Sequence, residues 1–339
     1  MNQLSNQPPF YKYKLFIGLL GGAFLLVVSI VASLSIGAYA IPFTEVLSLL
    51  FNPDHSKEAS IIHTIRLPRA LVGVVVGACL AMAGGIMQAI TNNPLASPQI
   101  FGVNAGASLM VVIGVVLLPG LGSDILIYFA FLGAAAGGGI VYYLASTGGG
   151  MTPVKLALAG ITVHLFLSSL IQGIVLFHET STEDVLFWLA GGIDGRNWSD
   201  FSLLLPWALA GFLGALLLGK SLTILGLGDE VAQGLGQSIG WIRGSSALVV
   251  ILLAGISVAV AGPIGFIGLI IPNIVRKIIG SDYRVILPVA GLFGAVLLTI
   301  SDVLSRFIAF PGESPVGIVT ALIGAPFFLY LASKGGRKG

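Results

Sequence analysis

Charged residues are scarce in this chain of 339 residues. Only 9% are charged and 56% are hydrophobic, whereas about a quarter of the residues in an average soluble domain are charged. The 16 lysines and arginines and 14 aspartates and glutamates are too few to cover a soluble surface of this size. The composition therefore excludes a soluble enzyme, a disordered chain and a nucleic-acid-binding protein.

Cysteine and histidine are also rare. The single cysteine, Cys79, has no partner for an internal disulfide, and its apolar neighbours predict a small buried side chain. The 4 histidines are scattered and give no metal-ligand spacing, so the sequence predicts no metal site and no cofactor bound by this chain.

Long apolar runs are abundant instead. A helix needs about 20 mostly apolar residues to cross a bilayer, and we predict an all-α polytopic membrane protein, one domain over 1–339, with about ten spans. The seventh and eighth are short and separated by Gly262, Pro263, Ile264 and Gly265, so one broken helix, and nine spans, is the alternative. The predicted spans are 15–36, 70–91, 99–118, 125–145, 154–177, 201–219, 245–262, 264–280, 285–308 and 315–332.

The loops predict the orientation. With ten spans both termini lie on one side, and that side carries eleven of the 16 basic residues. The positive-inside rule places it, and both termini, in the cytoplasm. The first apolar run, 15–36, is longer than the roughly 7–15 residues of a signal-peptide core, so we expect an attached membrane helix.

A weak internal repeat runs through the chain. Shifting 77–109 by 178 residues aligns nine identities in 33 positions with 255–287. Five spans separate the copies, so the halves would be inverted, as in many transporters. Shared packing of small residues is the alternative, because Gly73, Gly77, Ala81 and Gly85 also recur at fourfold spacing.

The stretch from Gly214 to Ser221 matches the nucleotide-binding pattern GxxxxGK[ST]. We reject this match because its variable positions are Ala and three Leu at the end of a membrane span, where the helix uses the backbone amides. Any ATP used by the system must therefore bind another subunit.

Two groups of charged residues lie at the predicted outer surface. Arg66 and Arg69 bracket a proline just before the second span, and we interpret them as membrane-edge anchors or as contacts for an acidic partner. Asp302 and Arg306 are four residues apart near the end of the ninth span, which predicts a local ion pair.

Two cytoplasmic loops have distinctive sequences. The segment 92–98, with Asn93, Pro94 and Leu95, predicts a stiff turn that is either a connector or part of an inner gate. The loop 220–243 is the longest cytoplasmic segment. In it, Asp229 and Glu230 precede apolar residues at fourfold spacing, which predicts a short amphipathic helix for a partner's groove or for the membrane surface.

Polar residues also occur inside two predicted spans. His164, Ser168 and Gln172 recur every four residues on the fifth span and form one polar stripe, and Gln88 lies in the second span. Polar groups in a membrane helix face a pathway or a neighbouring helix, and we expect these four on the permeation pathway.

Five long motifs together resemble the FecCD-type permeases, the membrane subunits of binding-protein-dependent ABC importers for ferric siderophores, haem and cobalamin. The resemblance covers about 20–335. The motifs are RLPRAL (66–71), GACLAMAGGIMQAITNNPLASP (77–98), LGDEVAQGLG (227–236), GPIGFIGLIIPNIVR (262–276) and SPVGIVTALIGAPFF (314–328).

The resemblance implies the inverted-repeat type II importer fold and an assembly in the bacterial cytoplasmic membrane. The implied partners are a second permease, identical or paralogous, two ATPase subunits that hold ATP and Mg²⁺, and an external substrate-binding lipoprotein. Arg66, Arg69 and Arg306 would dock the binding protein, and Asn93 to Ala96 would lie at a gate. The residues implied to contact the ATPase are Gly228, Asp229, Glu230, Ala232, Leu235 and Gly236.

We therefore expect a non-enzymatic permease subunit that moves a ferric siderophore by alternating access. Haem and cobalamin are the alternative ligands within this family. A secondary transporter driven by an ion gradient would need a buried coupling carboxylate, for which Asp302 is the candidate, and a membrane enzyme would need a nucleophile and base that the sequence does not display.

Overall fold

The computed structural model describes residues 9–52, 54–118, 120–147, 151–178, 182–308 and 312–335. These ranges form helices and connecting loops without a β-strand. The α-helices are α1 (Pro9–Ser35), α2 (Phe43–Phe51), α3 (Lys57–Ser60), α4 (Leu67–Thr91), α5 (Val103–Val112), α6 (Ser123–Ser146), α7 (Pro153–Phe177), α8 (Thr182–Ala190), α9 (Trp198–Leu225), α10 (Asp229–Gly234), α11 (Ile239–Ala261), α12 (Ile267–Ile279), α13 (Tyr283–Ile308) and α14 (Val316–Gly335).

A helix lies at each of the ten predicted span positions. Eight are long and apolar enough to cross a membrane, and the one that begins with Lys57–Ser60 continues through a π-helical turn at Ile61–Arg66 into α4. The third span is shorter, because α5 and its π-helical extension together cover Val103–Leu117. At 13 residues, α12 is about 20 Å long, only part of a bilayer's thickness.

The seventh and eighth predicted spans are two helices separated by a turn, and whether the short α12 counts as a span of its own stays a prediction. Helix α11 ends at Ala261 and α12 begins at Ile267. Between them Gly262 and Phe266 adopt left-handed backbone conformations, with φ of +67° and +68°. This turn joins α11 to α12, and α12 is followed by α13, which begins at Tyr283.

Helix α4 lies at the centre of the bundle and α7 at its edge. In their most apolar stretches, 83% of the residues are buried in the helix that contains α4, but only 28% in α7. Helix α4 packs against α13, α11, α9 and α12. Cys79 on α4 is fully buried, as the sequence predicts.

Glycines allow the closest contacts between helices. A Cβ atom on Gly77 would overlap the backbone of Gly294 on α13, and one on Gly84 would overlap the backbone of Gly268 on α12. Gly77 belongs to the predicted fourfold series and packs on α13, whereas Gly84 lies outside that series and forms a second close contact, with α12. The two copies of the sequence repeat differ in local structure at one place. Helix α4 is continuous through 84–87, whereas the aligned residues 262–265 form the turn before α12.

The predicted docking and coupling residues lie at two different ends of the bundle. We call the one with Arg66, Arg69 and Arg306 the arginine end. The other, where α4 ends and α10 lies, is the coupling end. The stretch from Gly214 to Ser221 is entirely inside α9, which confirms that it is not a phosphate-binding loop.

Candidate functional site

The three predicted docking arginines lie at the arginine end, and two of them, Arg69 and Arg306, pair with one carboxylate. Arg69 lies in the first turn of α4 and donates to Asp302 of α13, with 2.7 Å between Nη2 and Oδ1. Arg306, one turn beyond Asp302, donates from Nη2 to its other oxygen at 2.6 Å. The local Asp302–Arg306 pair is therefore confirmed, and Asp302 also links α4 to α13.

Arg66 and Arg306 also bind the end of α1. Arg66 donates from Nη1 to the Leu34 carbonyl at 2.6 Å, and Arg306 donates from Nη1 to the Ser33 carbonyl at 2.8 Å. The last carbonyls of a helix lack partners within the helix and carry partial negative charge, which favours a nearby cation. The arginines thus fasten α1 to α4 and α13.

All three arginines are buried in this conformation. Their exposed fractions are 6% for Arg66, 7% for Arg69 and 6% for Arg306. The most accessible partner in the cluster is Glu313, which accepts a hydrogen bond of 2.5 Å from Nη1 of Arg69 and is 41% exposed. An external acidic group would therefore meet Glu313 before it met Arg69.

The sequence does not reveal Glu313 as part of this cluster. It lies 244 positions from Arg69, in a loop, with no periodicity to mark it. Nearby, the Tyr39 carbonyl accepts a hydrogen bond from Arg66, and the Tyr39 hydroxyl donates to Glu58 at 2.8 Å. This hydrogen bond to a carboxylate raises the pKa of the exposed Tyr39.

The polar stripe of α7 lines a cavity of about 560 Å³. His164, Ser168 and Gln172 form one wall, as expected for residues four apart on a helix. The opposite walls come from the start of α5, the 3₁₀ turn at Pro98–Phe101, Leu189 of α8 and Pro263 of the turn before α12.

Gln88 and the turn at 93–95 do not line this cavity in the described residues. Gln88 donates from Nε2 to the Gly268 carbonyl at 3.2 Å and accepts from Arg276 at 3.1 Å. Asn273 donates to the Pro94 carbonyl at 2.6 Å. These side chains fasten the end of α4 and the following turn to the short helix α12.

The turn at 93–95 is internally fixed. Asn93 accepts a hydrogen bond from the Leu95 amide at 2.9 Å through its side chain. Asn92 ends α4 in a left-handed conformation with φ of +48°. Motion of this turn would therefore carry α12 with it.

The predicted coupling residues form α10 and its two flanking turns. Asp229 is the first residue of α10 and pairs with the buried Arg243 of α11 at 3.0 Å. Arg243 also donates to the Met151 carbonyl at 2.8 Å, which links α10 to the turn before α7. Gly228 and Gly236 have φ of +108° and +78°, a region that L side chains rarely adopt.

An apolar patch surrounds α10 at the coupling end. Ala232 is buried and anchors the helix, whereas Glu230 is exposed beside the patch. We call the following the coupling patch: Leu227, Val231, Leu235 and Trp241, which are between 48% and 77% exposed. Clustered exposed apolar side chains of this kind mark a protein or membrane contact.

The chain matches known proteins over almost its whole length. The FecCD transport family profile matches residues 25–334. The Fe(3+)-citrate import system permease protein YfmD of Bacillus subtilis (strain 168) is 60% identical over 303 residues, which cover 89% of this chain and 90% of YfmD.

Two further proteins extend the comparison. The Fe(3+)-citrate import system permease protein YfmE of the same strain is 39% identical over 316 residues, 93% of this chain and 94% of YfmE. A solved structure described as an inward-facing metal-chelate type ABC transporter has a TM-score of 0.83 and 29% identity, and covers 93% of this chain and 98% of its own.

Proposed function

The chain belongs to the FecCD transport family, and from this premise we propose that it is the permease subunit through which an ABC importer carries Fe(3+)-citrate across a bacterial cytoplasmic membrane. The 60% identity to a Fe(3+)-citrate permease over about nine tenths of both chains is the observation that carries this proposal. This identity narrows the proposed ligand from ferric siderophores in general to a ferric citrate chelate.

We propose that a second, paralogous permease completes the pathway. Two different chains of one Bacillus subtilis strain, YfmD and YfmE, are both named for Fe(3+)-citrate import, and this chain is similar to both. The polar stripe of α7 supports the same proposal, because His164 and Gln172 line the cavity but stay exposed in a single copy of this chain, so that without a second permease they would be open to lipid.

The two ends of the bundle suit two further partners. The arginine end would receive an external binding protein whose acidic groups compete with Glu313 and Asp302 for Arg69 and its neighbours. The coupling patch would seat one of two ATPase subunits, which hold ATP and Mg²⁺, and both termini of the permease would lie in the cytoplasm with that patch.

The proposed transport cycle is alternating access. Closure of the ATPase pair on ATP would pull on α10, and the Asp229–Arg243–Met151 contacts would pass that displacement to α11 and to the start of α7. Helix α7 carries the polar wall of the cavity, so its displacement changes access to the cavity.

An ion-coupled secondary transporter is less well supported. Asp302, the carboxylate that the sequence offers for such coupling, contacts two guanidinium groups at 2.7 and 2.6 Å. A carboxylate neutralised in this way is a poor carrier for a proton or cation.

The proposal is tested by deletion of this permease in its host. We expect uptake of ⁵⁵Fe from citrate to disappear and to return when the chain is restored, while uptake of haem, cobalamin and a ferric trihydroxamate is unchanged. Normal citrate uptake in the deletion strain, with loss of one of the other ligands, would contradict the assignment to citrate.

A further inference from the structure

The cavity beside α7 has a wall that is polar but uncharged. Among the described residues that line it there is no aspartate, glutamate, lysine or arginine. Seven side chains with hydrogen-bonding groups face it: Ser97, Gln99, Asn104, Ser108, His164, Ser168 and Gln172.

These seven side chains have no hydrogen-bond partner in the described part of the chain. Even Ser108, which is 5% exposed, is unpaired there. Only Ser108 among the seven is buried; Gln99, His164 and Gln172 are exposed, and Ser97, Asn104 and Ser168 are half-buried. Their hydrogen-bonding groups are therefore open to water or to a ligand that occupies the cavity.

The wall is rich in hydrogen-bond donors. The side-chain amides of Gln99, Asn104 and Gln172 each present two N–H groups, and the serine hydroxyls donate as well. Donors of this kind match carboxylate and alkoxide oxygens. Because the described residues of the wall include no lysine or arginine, no single contact holds a chelate tightly, and the chelate can leave the wall as readily as it enters.

The stripe on α7 runs along the helix. His164 and Gln172 are eight residues apart, which separates them by about 12 Å along the helix axis. Asn104 lies across from them at the start of α5. A bound molecule can therefore exchange one set of donors for the next as it moves.

We propose that this wall makes the permease itself selective, with Asn104, His164 and Gln172 as specificity-determining residues for a compact iron chelate whose exterior consists of carboxylate and hydroxyl oxygens. The inference rests on the proposed function. It adds a second selection step, in the permease, after selection by the external binding protein. On the competing view, the binding protein sets all the specificity and the cavity is only a passage for water and ligand.

Direct binding to the permease tests this inference. The complete importer without its binding protein is placed in nanodiscs, and equilibrium binding of ⁵⁵Fe(3+)-citrate is compared with that of a ferric trihydroxamate. We expect weak, saturable binding of citrate, and about tenfold lower affinity for citrate in N104L, H164L and Q172L, because each loses one hydrogen bond to a charged ligand.

A matched control separates the wall from general damage. Ser169 lies on α7 outside the cavity, and its hydroxyl donates to the Leu165 carbonyl at 2.9 Å. S169L should therefore bind Fe(3+)-citrate like the original chain. If S169L and Q172L lose the same affinity, the specific role of Gln172 is wrong.

A change in charge gives the opposite effect, which a misfolded protein cannot imitate. Q172R adds a cation to the wall, so we expect at least tenfold tighter binding of Fe(3+)-citrate and slower turnover in transport, whereas Q172E should weaken binding. If the importer transports Fe(3+)-citrate but none of these variants changes its binding, the selectivity of the wall is wrong while the proposed function stands. If it does not transport Fe(3+)-citrate at all, the proposed function fails first.

Discussion

At the scale of single residues, Asp302 is the centre of the arginine end. It is 1% exposed and accepts hydrogen bonds from both Arg69 and Arg306. The sequence predicts the pair with Arg306, because the two residues are four apart on one helix. It cannot predict the pair with Arg69, which lies 233 positions away and is brought close only when α4 packs on α13.

Replacement of this carboxylate tests its structural role. D302N should lower the free energy of unfolding by about 3–5 kcal/mol, because it leaves two buried guanidinium groups without their shared counter-charge. The measurement is denaturant unfolding of the purified permease in detergent. D124N, at an exposed acid of the same end, is the control and should unfold like the original chain; equal stability of D302N would contradict the role.

Glu313 gives the residue-scale test of docking. If Arg69 binds an acidic group of the external protein, that group must displace Glu313 from Nη1 of Arg69. E313Q weakens the internal contact, so we expect several-fold tighter capture of the binding protein by the nanodisc importer, measured by surface plasmon resonance. Unchanged or weaker capture would count against Arg69 as a docking residue.

At the scale of elements, hydropathy predicts where the helices lie but not how they end. Every long apolar run became a helix, because backbone groups in a membrane must be paired within the segment. The turn at 262–266 is held by a tertiary contact, in which the Gly192 amide donates to the Ala261 carbonyl at 2.9 Å. That contact has no local sequence signal.

The close contact between α4 and α12 gives a testable prediction about helix packing. G84A places a methyl group inside the backbone of Gly268, so the short helix must move away from α4. We expect a loss of stability of about 3 kcal/mol or more, at the upper end of the usual cost of overpacking. Thermal unfolding in detergent measures it.

The control for this contact is another helical glycine. A Cβ on Gly139 of α6 would meet nothing within 4 Å, so G139A should be neutral or slightly stabilising, because alanine favours a helix. If G84A and G139A unfold alike, the close approach of α4 and α12 is not important for stability.

At the scale of the whole molecule, the bundle joins an arginine end, a cavity and a coupling end. Of the predicted site residues, the stripe of α7 is brought to one cavity, and the coupling residues to α10 and its flanking turns. Gln88 and the turn at 93–95 instead bind α12. The sequence marks the chemical groups, but only packing decides which of them share a surface.

The coupling patch gives a testable prediction about the contact between the permease and the ATPase subunits. L235D puts a charge into the coupling patch, where Leu235 is 61% exposed. We expect the ATPase subunits to dissociate, or their ATP hydrolysis to lose its response to loaded binding protein, by tenfold or more. Co-purification and ATPase assays measure this, and K220Q, a variant at an exposed residue of the same end outside the patch, is the control.

We propose that this chain carries Fe(3+)-citrate with energy supplied by partner ATPases. The most direct test reconstitutes the permease with its paralogue, ATPases and binding protein in vesicles and follows ⁵⁵Fe(3+)-citrate uptake. We expect uptake that needs ATP, Mg²⁺ and the binding protein together and that persists when ion gradients are collapsed. Uptake that continues without the ATPases, or stops when an ion gradient is removed, would contradict it.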